Sequence, residues 1–118
     1  MKTILSIGIF LMMFITSFTT NAQSTNFVGK WESITPVSFY NNNILKIKII
    51  GTDNPNCLII VNAVNPKKKF VAKYDDITGR LYVSYQTQQL YLEYYPDTDM
   101  LRVFKTDNTF ICYMTRFL

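Results

Sequence analysis

The chain has 118 residues, 48% hydrophobic and 15% aromatic, with two Cys, no His and a formal charge of +4. That length holds one domain. The lack of His removes the usual general base of hydrolases and the usual pH switch. Two Cys without His also fall short of the roughly four ligands of common zinc patterns, so neither a metal nor another cofactor is expected.

The first stretch stands apart from the rest. Met1-Lys2 is a positive start, residues 4–18 form a nearly unbroken apolar run, and Thr20-Asn21-Ala22 places small residues at a cleavage site before Gln23. The run is shorter than the roughly 20 residues of a spanning helix, so residues 1–22 read as a secretory signal peptide rather than an uncleaved anchor. No Cys stands at the cleavage site, which argues against a lipoprotein anchor, and nothing later is long and apolar enough to span a bilayer. Residues 23–118 are then a single exported domain, expected in the periplasm or outside the cell, where nucleic acid is not the expected partner. Without Lys2 the formal charge falls from +4 to +3. Much of that excess is Lys67-Lys68-Lys69, read as a phosphate or glycan contact or, preferably, as a solvated strand edge guarded by Lys.

From Phe27 onward short apolar runs alternate with turn residues at the spacing of an all-β barrel or sandwich. The first strand, residues 28–35, carries Gly29 and the only Trp, Trp31. Residues 36–43 form an aromatic, Asn-rich connection with Phe39 and Tyr40. Residues 44–50 alternate Leu45, Ile47 and Ile49 against Lys46 and Lys48, and residues 51–56 are a loop. Residues 57–64 are apolar on both faces. Residues 68–74 place Phe70, Ala72 and Tyr74 together, and the Asp75-Asp76-Ile77-Thr78-Gly79 turn suits Gly79 to a positive φ. Residues 80–85 turn Leu81 and Val83 inward. Residues 89–95 set Leu90, Leu92 and Tyr94 against Tyr91, Glu93 and Tyr95. After Pro96-Asp97-Thr98-Asp99, residues 100–105 turn Leu101 and Val103 inward, and residues 109–117 place Phe110, Cys112, Met114 and Arg116 on one face. The expected fold is all-β: about eight strands in a small antiparallel up-and-down barrel, closed so that no edge is exposed.

Gly29-Lys30-Trp31 opening the first strand resembles the Gly-x-Trp signature of the lipocalin-like (calycin-type) barrels. In that family an Arg near the end of the last strand packs across the Trp, and Arg116 stands at the matching position. The Asn-Ala-Gln signal end and the Asp-x-x-Thr-Gly-Arg-Leu hairpin are also similar to small secreted lipocalin-like proteins of Bacteroides-type bacteria. The resemblance implies structural roles for Gly29, Trp31 and Arg116, the last two as a cation–π plug. The chain is much shorter than a typical lipocalin, with no C-terminal helix.

No catalytic residues are expected. The pairs Asp75/Asp76 and Asp97/Asp99 sit where Asp serves turn geometry, and neither turn supplies the oxygen ligands of a calcium loop. Cys57 and Cys112 are both expected inward, as a disulfide or as two buried thiols, with the disulfide slightly preferred. Tyr82, Tyr91, Tyr95 and Tyr113 are expected on the outer wall, as a contact patch or as ordinary cross-strand pairs. Phe39 and Tyr40 beside the barrel mouth are the second candidate contact. The leading expectation is a non-enzymatic barrel that binds a small apolar ligand or a protein partner through Phe39, Tyr40, Tyr91 and Tyr95. The alternative is a filled barrel acting as a protease-inhibitor-like module, with residues 23–26 as its arm. A nucleic-acid- or oligosaccharide-binding barrel of the OB type is disfavoured by strand count and the absence of a mid-chain helix.

Overall fold

The computed structural model describes residues 23–118; the expected signal peptide, residues 1–22, lies outside the described residues. Eight strands follow one another: β1 (Gly29–Ser33), β2 (Lys46–Gly51), β3 (Cys57–Asn62), β4 (Lys69–Asp75), β5 (Arg80–Tyr85), β6 (Gln88–Tyr95), β7 (Met100–Lys105) and β8 (Phe110–Arg116). Each pairs antiparallel with the next, and β8 pairs back onto β1 through Trp31↔Arg116 and Ser33↔Met114, so the sheet is a closed up-and-down barrel. Closure leaves no ladder groups unpaired along an edge. The Lys67-Lys68-Lys69 run therefore does not guard an edge strand, as the preferred sequence reading had it. It lies at the start of β4, which is hydrogen-bonded on both sides.

Side-chain alternation follows the pleat. Ile47 and Ile49, Leu58 and Ile60, Ala72 and Tyr74, Leu81, Leu92, Leu101 and Val103, and Cys112 and Met114 fill the interior, with Leu90 buried beside the open end. Positive φ recurs in the hairpins: Gly79 closes β4–β5 at 73° and Asp99 serves β6–β7 at 50°, both types that tolerate it, while β5–β6 places Gln86 at 53°.

Two inward placements expected from the sequence are reversed. Phe110 was expected to share the face of Cys112, yet it is 45% exposed. Val103 pairs with Cys112 and Phe104 pairs with Phe110, so Ile111 is an extra residue on β8. Such a bulge shifts the alternation by one and turns Phe110 outward. Cys57 was expected inward, but it is half-buried and precedes the inward Leu58, which places it on the outer wall opposite Lys73. Cys112 stays inside. The two are free thiols on opposite faces of the sheet, and the expected disulfide is absent.

The barrel has two unlike ends. A 3-10 turn (Gln23–Phe27) covers the end where β1 begins, with Phe27 buried in the core. At the other end a second 3-10 turn (Ser38–Tyr40), anchored by the Val37↔Asn43 bridge, lies beside the start of β2.

Candidate functional site

The closed end is organised by Trp31 and Arg116. The Trp31 indole Nε1 donates to the Phe27 carbonyl at 2.8 Å, and its ring meets Tyr94 edge-on at 6.4 Å. Phe27 packs in turn against Tyr74 at 5.9 Å and Tyr94 at 6.3 Å. Arg116 lies over the Trp31 ring, 4.1 Å from its centroid. Its Nη1 and Nη2 donate to the carbonyls of Val28 and Asn26, both at 2.9 Å, and Nε donates to Asp99 Oδ2 at 2.8 Å. Gly29 makes room for this arrangement. At φ 140° an added Cβ would come within 2.5 Å of Arg116 Nη1. The structural roles expected of Gly29, Trp31 and Arg116 thus meet at one place.

Asp99 completes that cluster, and turn chemistry alone did not reveal it. Its carboxylate accepts from Arg116 and from the Tyr94 hydroxyl at 2.8 Å. Those two bonds, Arg116's first, hold the Asp99 carboxyl below its ordinary value. Trp31 Nε1, the Tyr94 hydroxyl, the Asp99 carboxylate and the Arg116 guanidinium all have partners inside the fold, so this end is a plug. Residues 23–26 belong to it as well: Ser24 is buried and the Asn26 carbonyl is held by Arg116.

The open end holds a cavity of about 50 Å³. Ile47, Ile60, Leu92, Val103 and Met114 line its deeper part, and Phe39, Phe70, Val83 and Tyr85 ring its mouth. The mouth is an aromatic collar, with Tyr85 5.6 Å from Phe39 and 5.3 Å from Phe70. Asn62 is the one polar side chain on the wall apart from the Tyr85 hydroxyl. Its amide is braced within the fold: Nδ2 donates to the Tyr40 hydroxyl at 2.9 Å, and Oδ1 accepts from Val64 N and Asn65 N. The cavity therefore offers shape and apolar surface, with no charged side chain on its lining. Apolar cavities that accept a benzene-sized guest run to about 150 Å³. This one fits a few carbon atoms.

The two aromatic pairs expected to bind lie in different places. Phe39 lines the cavity and Tyr40 braces its rim through Asn62. Tyr91 and Tyr95 lie on the outer wall of β6. Along that wall Tyr82, Tyr91, Phe104 and Phe110 are directly opposite one another on β5, β6, β7 and β8. Tyr91 stacks on Phe104 at 5.0 Å, lies 4.3 Å beneath the Arg80 guanidinium, and donates its hydroxyl to Asn108 at 2.7 Å. It is only 3% exposed. Arg102 covers the Tyr95 ring at 3.9 Å. These rings bind one another first; the exposed members of the group are Phe110 and Tyr113, 4.9 Å apart.

Among the described residues no group of three or more His, Cys, Asp or Glu could hold a metal ion. Asp75 Oδ1 accepts from Ile77 N in its own turn. Burial pushes the Cys112 thiol up to about 11, which keeps it protonated and unreactive near neutral pH. Neither known protein families, nor curated proteins, nor solved structures offer a match to this chain.

Proposed function

We propose that this chain is an exported, non-enzymatic, lipocalin-like barrel whose open end receives a short apolar group. That group is the tail of a small ligand or an apolar side chain of a protein partner. The supporting observation is the cavity itself, walled by Ile47, Ile60, Leu92, Val103 and Met114 behind the Phe39–Tyr85 collar. Apolar surface brought there leaves water at both partners, worth roughly 0.8 kcal/mol for each methylene buried. With an almost wholly apolar lining, binding selects chiefly on size and shape.

The Gly29–Trp31–Arg116 arrangement supports kinship with lipocalin-like barrels. The sequence of residues 1–22 supports export. A non-enzymatic role is supported by the absence of His, the use of Asp75 and Asp99 in turn and plug, and the buried Cys112 thiol. The inhibitor-like alternative needs a free arm at residues 23–26, and the buried Ser24 and the Arg116 bond to Asn26 weigh against it.

Thermal shift with a series of straight-chain alcohols tests the proposal. Stabilisation should rise with each added carbon over the first few and then level off as the cavity fills. The variant Val83→Phe, which fills the mouth, should keep its β-sheet circular dichroism and lose the response. A response that grows steadily with chain length in both proteins would mean non-specific surface binding and would sink the reading.

A further inference from the structure

The β2–β4 wall differs in composition from the rest of the barrel. Ile50, Ile59 and Val71 are directly opposite one another across three strands on its outer face. Ile50 is 37% exposed and Val71 65% exposed, and Val64 in the adjoining β3–β4 connection is 74% exposed. Lysines frame this apolar row. Lys48 and Lys69 flank Val61 in the row above it, Lys73 stands below, and Lys67 and Lys68 extend the charge to the rim.

None of these five lysines forms an ion pair among the described residues. On the opposite wall, by contrast, Arg102 is spread over the Tyr95 ring, and on the adjoining β5 Arg80 is paired with Glu93. The carboxylates bordering this face are already engaged: Glu32 on β1 pairs with Lys46, and Asp75, two residues past Lys73, accepts from Ile77 N in its own turn. The nearest carboxylates in sequence are Asp53, in the loop before β3, and Asp75, at the far end of β4. Exposed aliphatic side chains surrounded by unpaired lysines are the composition of a surface that lies in the headgroup region of an anionic bilayer. On a surface of that kind lysine heads reach the lipid phosphates while the aliphatic side chains meet the acyl boundary.

We infer that the outer wall of β2–β4 is a peripheral docking face for an anionic lipid surface, engaged through Lys48, Lys67, Lys68, Lys69 and Lys73 around the apolar row Ile50–Ile59–Val71. The charge complementarity favours a negative partner, and the aliphatic row favours lipid over a soluble polyanion. The inference is independent of whether the cavity takes a guest.

The test is vesicle co-sedimentation of residues 23–118, which contain every strand of the closed barrel. Vesicles of phosphatidylcholine alone are compared with vesicles carrying about 30% phosphatidylglycerol, at low and at about 0.5 M salt. Binding is expected to the anionic vesicles alone and to be lost at high salt. Lys69→Gln/Lys73→Gln should weaken partition by about 25-fold, roughly fivefold for each lysine. Arg102→Gln/Lys105→Gln removes the same charge from the opposite wall and should stay within about twofold of the parent. Val71→Gln should also weaken binding, with its circular dichroism unchanged. Equal losses from both double variants would overturn the inference, as would no partition onto anionic vesicles. Binding indifferent to Val71→Gln would indicate a soluble polyanion as the partner and would also overturn it.

Discussion

Arg116 carries more of this structure than its partly exposed position suggests. One guanidinium covers the Trp31 ring, ties two carbonyls of the N-terminal segment and pairs with the β6–β7 turn. The exposed ion pair contributes little by itself, but the cation–π contact and the charged hydrogen bonds add to it. Arg116→Met should cost about 2–3 kcal/mol in chemical denaturation. Gly29→Ala should cost about 1–3 kcal/mol from backbone strain and the collision with Nη1. Because part of that penalty needs the Arg116 head, the double variant Gly29→Ala/Arg116→Met should be less destabilised than the sum of the singles. Simple additivity would mean that Gly29 matters for its φ alone.

Asp99 makes the same cluster sensitive to acid. Its folded-state carboxyl titrates below the ordinary value of 3.8, so the unfolded chain binds the proton more readily. The contribution is fully present above that ordinary value and is lost as pH falls through the lower folded value. Stability profiles of the parent and Asp99→Asn should therefore converge as pH falls below about 4. Profiles that stay parallel down to the lowest pH would exclude Asp99 as the titrating group.

At the scale of elements, the outer aromatic row is a sheet-stabilising device. Four rings in register on β5–β8 tie together the half of the barrel that ends on the bulged β8. Tyr91→Ser should thus lower stability by about 3 kcal/mol, as expected for removing a buried ring, and should not act as a clean binding variant. Unchanged melting with loss of a partner would restore Tyr91 as a contact residue. The strands themselves were legible because period-2 alternation is strong in 44–50, 80–85 and 89–95. The observed β5 and β7 have the bounds read from sequence. Phe110 was misplaced because a bulge adds one residue without any Gly to announce it. Cys57 was misplaced because residues 57–64 are apolar on both sides, so alternation there gives no phase.

At the scale of the molecule, closure is what separates the two candidate surfaces. An eight-stranded barrel is just wide enough for side chains to fill. Here the closed end is filled by Phe27, Trp31, Tyr74 and Tyr94, while the open end narrows to a small cavity. Turn residues and hydropathy gave no measure of that volume, since it depends on how Phe39, Phe70 and Tyr85 meet across three separate strands and loops. They did place Phe39 and Tyr40 beside the barrel mouth, where Phe39 lines the cavity and Tyr40 braces Asn62. The role of Asp99 stayed hidden because its ion pair joins positions 17 residues apart.

The most direct measurement is a methyl NMR titration of residues 23–118 with a four-carbon alcohol. The account predicts saturable shifts at Ile47, Ile60, Leu92, Val103 and Met114, with Ile50, Ile59 and Val71 unmoved. Shifts confined to the outer wall, or no saturation at the cavity methyls, would contradict an open end that receives an apolar group.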